Sequence, residues 1–149
     1  MLVSIEVNSD QQPHVIDRAR LKKAVRLILQ DAGIKSAEIS IAVVSDERMH
    51  ELNRQYLQHD YPTDVLSFVL ARDKRARSLD GEIIASSDYA DREAVRYHWS
   101  TDDELLLYIV HGCLHLVGYD DTTAKGKTAM REAEAKYLAR FGLQHRFDS

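Results

Sequence analysis

Apolar side chains recur loosely at every second position in LVSIEV, residues 2–7, the alternation of a half-buried strand. From residue 16 the period lengthens. Ile16, Leu21, Val25, Ile28 and Leu29 form one stripe of a helix over residues 16–32, and Gly33 is a suitable stop. EISIAVV, within residues 38–45, predicts a second strand. Asp46 is a candidate cap for a helix that carries Met49, Leu52 and Tyr56. Pro62 breaks the chain, and VLSFVL at 65–70 predicts a third strand. ARDKRARSLD at 71–80 reads as a charged loop, and GEIIAS at 81–86 as a fourth strand. Residues 88–99 look helical. Thr101 is the expected cap of a further helix to about residue 117, with Glu104 as its capping-box acid. The last helix is expected over roughly 123–141. This order predicts an α+β fold: a small mixed sheet of about four strands packed with several helices, not strict βαβ repeats.

Composition narrows the class. The chain has 149 residues, 44% hydrophobic and 30% charged, which suits one domain over 1–149 with one real core. A net charge of -4 gives no whole-molecule attraction to nucleic acid, so any such contact needs a local basic patch. A single cysteine, Cys113, excludes an intramolecular disulfide framework. The N-terminal segment is too short and too polar for a signal peptide, and the apolar run LLLYIV at 105–110 is too short to span a bilayer. A cytoplasmic protein without a membrane partner is expected.

The chemistry concentrates in HGCLHLVGYDD, residues 111–121. The helix that contains it is apolar almost all round and therefore buried. His111 and His115 lie one turn apart and share a face. Cys113 points roughly opposite, into the core. Two buried imidazoles need partners, and one divalent metal serves both. Gly118 suits a left-handed helix end, after which the chain reverses and Asp121 can reach back. His111, His115 and Asp121 would give three ligands and one open position, the pattern of a catalytic zinc site. The alternative for a pair at this spacing is ordinary packing. In zinc proteases of related spacing a glutamate follows the first histidine and acts as general base. Here that position is Gly112, which disfavours peptide hydrolysis. No general base is assigned. RNA, which carries its own neighbouring 2′-hydroxyl, suffers less from that loss.

HGCLHLVGYDD resembles the YbeY-family signature HGxLHLxGYDH. LNRQYLQHDYPTDVLSF at 52–68 resembles that family's LNxxYRxxDxPTDVLSF, GEI at 81–83 its GDI block, and Met130 and Glu134 its last helix. The resemblance covers nearly the whole chain. It implies an α+β layer with the metal in a cleft, beside the strand at 65–68. It also implies a metal-dependent, single-strand-specific endoribonuclease in ribosomal RNA maturation and ribosome quality control. Zinc is the implied metal, and RNA and the ribosome or its proteins are the implied partners. Two positions depart from the pattern. Asp121 replaces a third histidine; a carboxylate is an acceptable ligand, but it should make a bound water less acidic and help oxygen-preferring metals compete. Leu57 replaces an arginine suited to a phosphate, and Arg54, Arg72 and Arg75 are the possible substitutes.

Other charged groups have two readings. Arg72, Lys74, Arg75 and Arg77 could grip a phosphate backbone, or form a solvated loop. Arg18, Arg20, Lys22, Lys23 and Arg26 read as a solvated helix face that could extend an RNA track. Asp120 is a partner for a histidine or a surface acid. His14, His50, His59 and His145 have no spacing that recommends them. Beside the nuclease stand a metal-dependent hydrolase of another substrate, such as a peptide, and a non-catalytic ribosome-assembly factor that keeps the fold and metal.

Overall fold

The computed structural model describes residues 2–10, 16–57 and 65–145, with the side chains of Tyr56 and Leu57 outside that description. Four strands, β1 (Leu2–Ser9), β2 (Ser36–Val44), β3 (Val65–Asp73) and β4 (Ser78–Ser86), form one sheet in the order β1-β2-β4-β3. β1 and β4 both pair parallel to β2, and β3 pairs antiparallel to β4. Five helices complete an α+β fold: α1 (Arg18–Asp31), α2 (Asp46–Leu52), α3 (Ser87–Tyr97), α4 (Thr101–Leu116) and α5 (Ala124–Ala139). One π-helical turn, Asn53–Leu57, follows α2.

The expected loop at 71–80 is largely strand. β3 continues to Asp73, β4 begins at Ser78, and only residues 74–77 turn. The outer half of β3, residues 69–73, is exposed, so burial imposes no apolar alternation there. A bulge between Val69 and Ala71 shifts the register as well.

Two caps sit one residue earlier than expected. Ser45, not Asp46, accepts the Arg48 amide and caps α2. Asp46 instead takes Ser86 Oγ at 2.8 Å and the Arg92 guanidinium at 2.5 Å. For α4 the capping box is Ser100 with Asp103, not Thr101 with Glu104. STDDE offers both frames; burial selects one, because Glu104 faces the interior while Thr101 turns to Asp91 at 2.6 Å.

The main core fills the space between one sheet face and the helices, with Leu21, Val25, Ile28 and Leu29 of α1 packed among it. A smaller cluster of Val44, Met49, Leu52, Leu66 and Ile84 includes the buried residues of α2. α4 is the central element and touches α1, α3, α5, β3 and β4. It packs closely on the sheet at Gly112. A Cβ there would stand 2.7 Å from Ile83 Cγ2 and 3.3 Å from Val65 Cγ2. Glycine is thus a packing requirement, and a glutamate at this position would be driven into the sheet. Cys113 is fully buried, and that burial pushes its thiol up to about 12. No helix among the described residues is long and apolar enough to cross a membrane.

Candidate metal centre

The last turns of α4 carry His111 and His115, whose ring centroids are 4.7 Å apart. Gly118 then adopts φ +112, and the Tyr119 amide returns to the Leu114 carbonyl at 3.0 Å. This reversal brings Asp121 back over the helix. Its Oδ2 lies 3.6 Å from His111 Nε2 and its Oδ1 3.5 Å from His115 Nε2. The two Nε2 atoms are 3.1 Å apart. Among the described residues these three form the one group of His, Cys, Asp or Glu able to hold a metal ion, with ligand atoms all within 4.8 Å of one another. All three side chains are partly exposed, so the cluster opens to solvent.

Each ring is held from behind. His111 Nδ1 lies 2.6 Å from Glu134 Oε2, and His115 Nδ1 lies 2.9 Å from the Tyr119 carbonyl. A carbonyl can only accept, so His115 Nδ1 carries the proton. Glu134 is buried, which works to raise its pKa. Hydrogen bonds from His111 and His145 overcome that and keep it below the ordinary carboxylate range. An ionised carboxylate also only accepts, so His111 Nδ1 donates. With both rings neutral, each Nε2 atom then presents a lone pair, to the other and to a carboxylate. Three acceptors that converge without a donor call for a cation. Two nitrogens at zinc-ligand distance, about 2.0–2.1 Å, would stand about 3.3 Å apart around a tetrahedral ion, close to the spacing here. The donor set fits a divalent metal.

Two further contacts shape the loop. Asp120 accepts the Thr122 amide at 3.0 Å, and this bond is the main cause that lowers its pKa. A Cβ at Gly126, in the first turn of α5, would lie 2.0 Å from the Asp120 carbonyl oxygen. That helix therefore seats directly on the loop that presents Asp121.

The basic residues behave differently from one another. Arg72 donates to the Leu116 carbonyl and ties the β3–β4 hairpin to the end of α4, next to His115. Arg72, Lys74 and Arg77 line a cleft of about 500 Å³ with Asp31–Ile34 and Val117, and its described walls do not include His111, His115 or Asp121. Arg75 stands in the exposed turn, its amide held by Asp73 at 3.0 Å. On α1, Arg18 donates to the Val7 carbonyl and Arg20 pairs with Asp103 at 2.8 Å, so both serve packing. The Leu57 side chain, Pro62, His14 and His59 lie outside the described residues.

Periodicity in the sequence misses His145. It follows the last helix, yet it is buried against Glu134 with Nε2 2.7 Å from Oε1. Helical spacing has no means of finding a residue delivered by a chain reversal.

Fold and cluster together define an α+β protein with a three-ligand candidate metal centre at the end of its central helix. The family model described as Endoribonuclease YbeY matches residues 6–142. Proteins named Endoribonuclease YbeY are similar over most of the chain. The one from Chlorobium phaeovibrioides is 37% identical over 127 residues, 85% of this chain and 84% of its own length. The one from Carboxydothermus hydrogenoformans is 40% identical over 124 residues, 83% and 85% of the two chains. The solution structure of a Thermotoga maritima protein superposes with a TM-score of 0.63 at 28% identity, covering 90% of this chain and 86% of that one. The chain belongs to the YbeY family.

Proposed function

We propose that this protein is a metal-dependent, single-strand-specific endoribonuclease, one domain over residues 1–149, that acts in the cytoplasm in ribosomal RNA maturation and ribosome quality control. The observation that carries the reading is the convergence of His111 Nε2, His115 Nε2 and the Asp121 carboxylate on one point. Relatives that share most of the chain bear the name Endoribonuclease YbeY, which supports RNA as the substrate. His111, His115 and Asp121 would hold the ion, with zinc as the first candidate and oxygen-preferring divalent ions favoured by the carboxylate. When bound, the ion supplies Lewis-acid activation of the scissile phosphate or of the attacking water. Glu134 and the Tyr119 carbonyl hold the two imidazoles in the tautomer that such a ligand needs. Arg72, Lys74 and Arg75 would contact the RNA backbone, and Arg72 is tied to the end of α4 by its bond to the Leu116 carbonyl.

Peptide hydrolysis is disfavoured on packing grounds, since Gly112 sits against Ile83 and Val65 where a glutamate base would have to fit. The non-catalytic assembly factor has one feature in its favour, Leu57 in place of the family's arginine. The test is cleavage of single- and double-stranded RNA by metal-loaded protein, beside His111→Ala, Asp121→Ala and Leu57→Arg. Metal-dependent cleavage of single strands, lost in the two ligand variants, supports the nuclease. An inert wild type that Leu57→Arg does not awaken favours the assembly factor.

A further inference from the structure

His145 lies beyond α5, in a stretch with no regular secondary structure, where a polar side chain would ordinarily be solvated. It is instead only 2% exposed. The chain turns back at Gly142, φ +77, with the Leu143 amide on the Leu138 carbonyl at 3.1 Å. Phe141 and Leu143 pack on the main core and fix that return. Glu134, itself 5% exposed, then receives a donor on each oxygen: His111 Nδ1 at 2.6 Å on Oε2 and His145 Nε2 at 2.7 Å on Oε1. The carboxylate plane is set by both donors together. If the His145 donor is removed, one buried oxygen loses a charge-assisted bond. The carboxylate is then free to rotate toward another donor, and its grip on the His111 ring loosens.

We propose that His145 is a positioning residue for the metal centre: through Glu134 it fixes the tautomer and orientation of His111. This rests on the reading of His111 as a metal ligand. The unit His145–Glu134–His111 extends the usual pairing of a ligand histidine with a carboxylate by one further donor. It makes ligand geometry depend on how the chain leaves its last helix.

The variants are His145→Phe, which keeps a ring without a donor, and His145→Gln, whose side-chain amide can replace the Nε2–H. Zinc affinity is read by competition with a chromophoric chelator, and imidazole tautomers by nitrogen-15 NMR of the metal-free protein. His145→Phe should weaken zinc binding about 10- to 100-fold and mix the two His111 tautomers. His145→Gln should stay within about threefold of wild type and keep the Nδ1–H form. Should His145→Phe not fold, His145→Ala enters the same comparison. Unchanged affinity and an unchanged His111 tautomer without the donor would overturn the proposal. So would equal loss in the Phe and Gln variants, because that marks a packing role. The metal-site reading fails separately: wild type and His111→Ala would then take up zinc alike or not at all, and the positioning role would fall with it.

Discussion

Gly112 shows how one missing side chain carries two messages. By spacing it is the absent general base; in the structure it is the contact on which α4 rests against β4. An alanine inside an exposed helix would gain about 0.5–1 kcal/mol over glycine. Here its Cβ meets Ile83 Cγ2 at 2.7 Å, and overpacking costs about 1–3 kcal/mol. Urea unfolding should therefore show Gly112→Ala less stable than wild type, with part of the loss recovered when Ile83→Ala is added. The clustering of His111, His115 and Asp121 was legible because helix period and a glycine turn are local properties. Glu134 was visible only through family resemblance, and His145 not at all, because their positions depend on tertiary packing. Arg72 was legible as a cation but not as a donor to a helix carbonyl.

Among the elements, the strongly periodic ones were clear from sequence and the weakly periodic ones were not. α1 and α4 announce themselves by apolar stripe and apolar saturation. The far half of β3 does not, because an exposed edge strand needs no apolar pattern, and the first residues of β4 carry only Leu79 as a buried large apolar side chain. Contacts between elements give two tests. Gly126→Ala forces a Cβ toward the Asp120 carbonyl, so α5 or the Asp121 loop must shift. Zinc titration should show affinity reduced by about tenfold, the scale of an outer-sphere perturbation. Tyr137 of α5 donates to Asp31 at the end of α1 at 2.7 Å. Burial, then this bond, raises the Tyr137 pKa, so the folded state holds that proton more tightly than the unfolded chain. The associated stability is complete below the free tyrosine value, about 10, and is lost as pH rises beyond it. Tyr137→Phe should cost about 1 kcal/mol at neutral pH and unfold with a shallower alkaline decline, checked by thermal melts across pH 8–12.

For the whole molecule, an ion that binds only the folded chain adds RT ln(1 + [L]/Kd), about 2.7 kcal/mol at one hundred times Kd. In a chain of this size that is a rise in Tm of about 5–10 °C. Calorimetry with zinc, then with excess chelator, should show the rise and its reversal, and Asp121→Ala should respond less. The sheet order and the layering around α4 could not be derived from spacing, since parallel pairing of β1, β2 and β4 joins segments far apart in the chain. The fold class was accessible; the strand permutation was not.

The placement of His111 and His115 on α4 has an electrostatic consequence. Peptide dipoles along a helix sum to about half a negative charge at its C-terminal end. His111 and His115 sit in the closing turns of a sixteen-residue helix, while Asp102, Asp103 and Glu104 occupy its first turn. The segment that fills the core thus also points its macrodipole at the spot where a cation would rest. Attraction for positive charge is built into the backbone before any ligand atom is counted.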